Sequence, residues 1–270
     1  MKNNKIMLLI IDAQNDFCNP KGSLFVQGAE EDNKRLSKWI LDNKDGISGI
    51  SVTLDTHQPI DIAHPAFWQD KNGKFPNPFT IISSKDVEDG VWTPRFRPVE
   101  SLKYLKDLEA QGEYPHCIWP EHCIGGSWGN GLDENVLNAI KAWTRDGNFY
   151  RVVVKGNNPY TEHFGAFEAQ IPITGKQETQ LNLELIRTLE KYNHVYLAGQ
   201  AKSHCVANTL KQVMKYAPEL AKKFVILEDC MSNVTGFEHI ADKIYADAKQ
   251  LGVRFSTTAQ ESLVSTTVTA

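Results

Sequence analysis

The sequence predicts an α/β fold in three layers, with a roughly six-stranded, mostly parallel sheet flanked by helices. Short β-branched or apolar runs alternate with amphipathic stretches, the pattern of parallel strands covered by crossover helices. The length of 270 residues, with 41% hydrophobic and 23% charged composition, suits one large domain with a substantial core. No internal repeat or low-complexity linker divides the chain, so 1–270 reads as a single domain.

The strand candidates, in order, are 5–11, 49–54, 150–154, 194–198, 223–227 and 253–256. The first carries the continuous apolar run Met7–Ile11, which suits a central strand buried on both faces. Helical periodicities lie over 30–41, 99–110, 134–143, 179–191, 205–216 and 238–250. Val99, Leu102, Leu105 and Leu108 recur every three residues and predict a stripe facing a core. Pro218 is expected to end the fifth helix and Gly252 to follow the last. A long excursion spans about 64–118, and its part 64–92, rich in Pro, Gly, Asn and aromatics, reads as an ordered loop. Loops of that length in a compact domain are more often functional than idle. The Ser/Thr-rich tail after Ser256 is expected to fray or to pack on a neighbouring subunit.

The 29 basic and 33 acidic residues leave a formal charge of −4, with no run of Lys or Arg. That argues against a nucleic-acid binder, which needs a basic face to displace counterions. The apolar run Ile6–Ile11 ends on Asp12 and is too short for a signal-peptide core or a membrane span. Five cysteines, Cys18, Cys117, Cys123, Cys205 and Cys230, form no disulfide framework. A reduced, cytoplasmic protein with free thiols is expected.

Ligands of open parallel sheets bind beyond the carboxyl ends of the strands. Asp12 follows the first strand, Asp55-Thr56-His57 the second, Lys155 the third, and Gly199 through Cys205 the fourth. Cys205 is the candidate nucleophile, placed to open a helix whose N-terminal N–H groups would favour a thiolate. The competing reading is a buried Cys acting as a small hydrophobe. Asp12 is the candidate proton acceptor, and Lys155 the cation that holds carboxylate and thiolate together. Backbone N–H groups near Ala201 and Cys205 are candidates for an oxyanion hole. His204 is a weak choice of base, because side chains adjacent in sequence generally point apart.

Asp55 and His57 stand two residues apart, so on a strand end they face the same side. Carboxylate plus imidazole ligates Zn²⁺, Mn²⁺ or Fe²⁺, and His64 and His122 are candidates to complete such a site. A structural zinc site from His116, Cys117, His122 and Cys123 is the weaker alternative, since its spacing departs from a short Cys knuckle.

Five blocks carry a resemblance. They are Ile11-Asp12-Ala13-Gln14-Asn15-Asp16-Phe17, Asp55-Thr56-His57, Trp119-Pro120-Glu121-His122-Cys123, Lys155-Gly156 ahead of Glu162-His163-Phe164-Gly165-Ala166-Phe167, and Ala198-Gly199-Gln200-Ala201 ahead of Cys205-Val206. In this order they resemble the isochorismatase-like cysteine hydrolases, and within them the nicotinamidases. The resemblance implies a triad of Asp12, Lys155 and Cys205 and a cis peptide between Gln200 and Ala201. It implies metal ligands at Asp55, His57 and His122, with His64 a candidate fourth and zinc the first expectation over manganese or iron. It also implies Phe17 and Trp119 around a nicotinamide ring, a thioester on Cys205, products nicotinate and ammonia, and a homo-oligomer.

Three departures bear on the substrate. The excursion is longer than in compact members, Phe164-Gly165 replaces a common Tyr-Ser, and Gln200 stands where a small apolar residue is usual. Phe164 and Gln200 are therefore expected at the substrate. The alternatives are the same triad acting on a carbamoyl, ureido or isochorismate-like compound, and a non-catalytic binding protein. The intact Asp, Lys and Cys set argues against the last.

Overall fold

The computed structural model describes residues 4–112 and 114–263. Among the described residues eight strands run in chain order as β1 Ile6–Ile11, β2 Gly49–Asp55, β3 Trp68–Gln69, β4 Thr93–Pro94, β5 Arg151–Lys155, β6 His194–Gly199, β7 Phe224–Leu227 and β8 Arg254–Ser256. Six of them form one sheet in the order β5-β2-β1-β6-β7-β8, every neighbouring pair parallel. All six are the strands the apolar runs predict, and the predicted layered fold is the one observed.

The helices are α1 Asn15–Cys18, α2 Ala29–Asn43, α3 Ser84–Glu88, α4 Pro98–Ala110, α5 Glu134–Thr144, α6 Leu183–Leu189, α7 Ala207–Tyr216, α8 Pro218–Ala221 and α9 Asp242–Leu251. Alternation along β1 sorts them into two layers. Ile6, Leu8 and Ile10 pack with Leu36 and Ile40 of α2 and Val136 and Ile140 of α5. Met7, Leu9 and Ile11 face the opposite way, onto Leu185 of α6, Leu210 of α7 and Ala248 of α9. Burial on both faces is what the unbroken apolar run requires. β5, by contrast, is an edge strand whose Val152 and Val154 are exposed.

Several sequence expectations are corrected. The helix expected over 179–191 is Leu183–Leu189, because the Asn182 side chain accepts the Leu185 N–H (2.9 Å) and starts the helix there. The every-third-residue stripe in α4 does not hold: Val99 is exposed, and Ser101, Tyr104, Leu105 and Leu108 are buried. A strict period of three drifts off a helix face that repeats every 3.6 residues. Pro218 does not merely end α7 but opens α8, with Ala217 between them.

The stretch 64–92 is more than a loop. It holds a turn at Pro65–Phe67, the strand β3 and the helix α3, and β3 pairs antiparallel with β4. Phe67, Trp68 and Ile82 share a cluster with Tyr104, Leu105 and Leu108 of α4. Those partners lie 22 to 41 residues away in sequence, beyond the reach of local periodicity.

Of the tail, Glu261 and Leu263 contact their own chain: Leu263 N–H donates to Asn43 (2.6 Å) and Glu261 accepts from Tyr196 (2.6 Å). The remainder, 264–270, lies outside the described residues. All five cysteines are free and buried, and no helix among the described residues is long and apolar enough to cross a membrane.

Candidate active site

The four neighbouring strands β5, β2, β1 and β6 deliver their carboxyl ends to one place. Asp55 and Lys155 are register partners, as are Ile11, just before Asp12, and Gly199. Gly199 has φ 116°, and a Cβ there would meet the Ile11 carbonyl oxygen at 2.0 Å, so the β6 end can approach β1 only as glycine. The Gln200–Ala201 peptide that follows is cis, as the resemblance implies.

Lys155 Nζ is fully buried and has three oxygen partners: Asp12 Oδ2 (2.8 Å), Asp55 Oδ1 (3.1 Å) and the His163 carbonyl (3.0 Å). Cys205 Sγ lies 3.7 Å from the same nitrogen. Burial disfavours the ammonium, but the two carboxylates outweigh it and hold the Lys155 pKa well above the usual lysine range. The carboxylates themselves are driven apart. Burial raises Asp12, with only Lys155 and the Thr53 hydroxyl to oppose it. Asp55 is equally buried, yet His57, Lys155 and His122 together hold it well below the carboxylate range.

Cys205 does not begin an α-helix. It sits in a π-helical turn, Lys202–Val206, ahead of α7. Burial pushes its thiol well above the usual range, with Lys155 opposing and Asp12 and Asp55 reinforcing. The expected helix N-terminus is therefore corrected to a π-helical turn, and it is Lys155 that opposes the effect of burial on the thiol. Among the described residues the Ala201 N–H has no backbone acceptor.

A second cluster adjoins the first. One ligand atom from each of Asp55, His57 and His122 falls within 4.8 Å of the others, all buried. His57 Nε2 lies 3.0 Å from Asp55 Oδ2, and its Nδ1 lies 3.0 Å from Asp61 Oδ2. His122 Nδ1 donates to the Pro120 carbonyl (2.9 Å), leaving Nε2 3.6 Å from Asp55 Oδ2. The donor set, two imidazoles and a carboxylate with a second-layer carboxylate on His57, fits a divalent transition metal. His64 Nδ1 donates to the Gln58 carbonyl (3.1 Å), and its Nε2 lies 3.3 Å from His122 Nδ1, outside the three-atom group.

The alternative zinc knuckle is not assembled among the described residues. His116 donates to the Ile62 carbonyl (3.0 Å) and packs against Trp68 and Tyr104, because the α4 cluster claims its ring.

Aromatic rings wall the site. Phe17 meets His122 edge-on at 5.4 Å between centroids. Trp119 meets His204 edge-on at 5.2 Å, and its indole N–H donates to Glu162 (3.1 Å), a carboxyl that burial pushes up to about 8. Phe164, Tyr114 and Phe237 also pack on His204. His204 Nδ1 lies 2.9 Å from Ser203 Oγ, and burial lowers its pKa to about 3. Gln200, expected at the substrate, is fully buried and turned into the scaffold, where Asp32 and Ser232 hold both ends of its amide.

Sequence reasoning missed Thr53, Asp61, Tyr114, Glu162 and Phe237. Thr53 and Asp61 are ordinary strand and loop residues in sequence. Their proximity to Asp12 and His57 exists only after pairing of β1 with β2 and closure of the 57–61 turn.

The fold is similar to that of solved nicotinamidases and of an isochorismatase-like hydrolase from Alkaliphilus metalliredigens. The nicotinamidase of Saccharomyces cerevisiae is 25% identical over 244 residues, covering 90% of this chain and 94% of that protein. The crystal structure of yeast nicotinamidase bound to the inhibitor nicotinaldehyde superposes with a TM-score of 0.64 at 23% identity, covering 93% and 99% of the two chains. The pyrazinamidase of Pyrococcus horikoshii in complex with zinc gives 0.53 at 17% identity, covering 94% and 99%. No family model matches the chain. Over most of its length the chain is therefore similar to nicotinamidases in sequence and in fold.

Proposed function

We propose that the protein hydrolyses nicotinamide to nicotinate and ammonia through a thioester on Cys205. The observation that carries this reading is the convergence of Asp12, Asp55 and Cys205 on the buried Lys155 ammonium, with His57 and His122 clustered on Asp55. A binding module has no use for that arrangement.

Asp12, its pKa raised by burial, takes the Cys205 proton as the sulfur bonds to the amide carbon. The carbonyl electrons move to oxygen, and the N–H groups of Ala201 and Cys205 hold the oxyanion. Asp12 returns the proton to the amide nitrogen as the C–N bond breaks and ammonia leaves. Water, deprotonated by Asp12, then attacks the thioester, and the proton passes back to sulfur. Lys155 stays charged throughout and keeps two carboxylates and a developing thiolate in one buried space. Asp55, His57 and His122 would hold a divalent ion, which when bound supplies an electropositive anchor for the pyridine nitrogen. The solved zinc complex of the pyrazinamidase supports zinc first, with manganese or iron compatible with the same donors. Phe17, Trp119 and Phe164 bound the ring, and Phe164 leaves that wall without a phenolic hydroxyl.

The test is ammonia release from nicotinamide by purified protein, before and after chelation, with Cys205→Ala as blank. Chelator-sensitive release that vanishes in the variant is expected. A metal-loaded, reduced sample that releases none overturns the substrate and directs the search to carbamoyl and ureido amides.

A further inference from the structure

Gln200 lies immediately before the oxyanion-hole residue Ala201, yet its side chain points away from the site. Its Nε2 donates to Asp32 Oδ2 on α2 (3.0 Å), and its Oε1 accepts the Ser232 N–H (3.1 Å). Ser232 Oγ donates to the same Asp32 oxygen (2.6 Å), and the Ser232 carbonyl accepts the Lys202 N–H (2.8 Å). Asp32 Oδ1 takes Arg35 Nη2 (2.6 Å), and Gln200 N–H donates to the Ile11 carbonyl (2.8 Å). Asp32 and Gln200 are both buried, at 3% and 0% exposure. The ring Asp32–Gln200–Ser232 thus closes around the strand-to-turn junction and grips it at residues 200 and 202, on either side of Ala201.

We propose that Asp32, Gln200 and Ser232 form a positioning network that sets the Ala201 and Cys205 N–H groups where the oxyanion develops. The proposal rests on the cysteine-hydrolase reading above. None of the three residues touches substrate. They act through the segment they hold, and a donor misplaced by about 1 Å costs on the order of a hundredfold in rate. Charge pattern matters here: one carboxylate accepts three donors, and the amide serves as both donor to it and acceptor from Ser232.

The test uses the full-length, metal-loaded enzyme. Gln200→Leu is expected to lower kcat by roughly ten- to a hundredfold with KM within about threefold. The inhibition constant of nicotinaldehyde should rise by a similar factor, because its carbonyl oxygen, once the Cys205 sulfur adds, needs the same donors. Asp32→Asn and Gln200→Glu should each be impaired. The double variant Asp32→Asn/Gln200→Glu reverses donor and acceptor and should recover most of kcat. Thermal unfolding separates loss of fold from loss of position. A Gln200→Leu enzyme with unchanged kcat and aldehyde affinity would overturn the network, as would a double variant no better than the product of its singles. If the wild type turns over no nicotinamide, the substrate reading fails separately. The iodoacetamide alkylation rate of Cys205 then reads the loop, and equal rates in wild type and Gln200→Leu would sink the proposal.

Discussion

Asp12 and Asp55 lie 2.8 and 3.1 Å from the same lysine nitrogen, and their environments push them in opposite directions. Asp55 gains two histidine donors besides Lys155, whereas Asp12 gains only a threonine hydroxyl. In the proposed mechanism that separation assigns the proton exchange to Asp12 and leaves Asp55 an anion.

Asp12→Asn should therefore abolish turnover with the fold intact, whereas the thiol of Cys205 remains in place. Ammonia release under saturating nicotinamide measures the loss, and circular dichroism the fold. Activity near wild type would remove Asp12 from the base role.

Because burial holds the Cys205 proton on and raises Asp12, the rate should follow Asp12 rather than a thiolate. As pH falls through the Asp12 pKa, kcat/KM is lost, and this acid limb sits above 3.8, the ordinary aspartate value. Iodoacetamide alkylation of free enzyme should keep rising into the alkaline range. A plateau near neutrality would show a preformed thiolate.

Lys155→Met leaves two buried carboxylates and no cation between them. Removing one partner of a buried ion pair costs about 3–5 kcal/mol. Urea unfolding should register a loss of that order, and activity should vanish. A variant as stable as wild type would show that Asp12 is protonated once the lysine is gone.

Asp61→Asn replaces the anion on His57 Nδ1 with a neutral amide. Carboxylates that orient metal-ligating histidines typically contribute 10–100-fold to affinity, and a drop of about that size is expected here. Titration of apo-protein with Zn²⁺ reads it directly, without turnover. Unchanged affinity would argue that His57 is not a ligand.

Acid should weaken the fold through His116 and His204, which burial holds neutral at about 4 and about 3. The unfolded chain binds protons at these sites below about 6.5 while the folded chain does not. Stability is fully present above 6.5 and declines as pH falls toward 4 and then 3. Urea midpoints between pH 7 and 4.5 should show this decline, and His116→Gln should flatten it.

Much of the architecture is written locally. The run Ile6–Ile11 is apolar at every position, which only a doubly covered strand accommodates, and the structure buries all six. Asp12, Asp55, Lys155 and Cys205 were each legible as polar or reactive residues just beyond a strand. The excursion was not, because Phe67 and Trp68 find their core partners on α4. Gln200 was misplaced for a related reason: its partners Asp32 and Ser232 stand 168 and 32 residues away.

By itself the sequence determined the layered sheet and which strand ends bear reactive side chains, since periodicity and strand-end position are properties of neighbouring residues. Only the tertiary structure decided how those side chains are charged. Proton affinities at this site depend on burial and on partners from other strands, and β1, β2 and β5 must be side by side before Lys155 can oppose the effect of burial on Asp12 and Asp55. Cys205 is the clearest case, its thiol pushed up by burial and drawn down by Lys155.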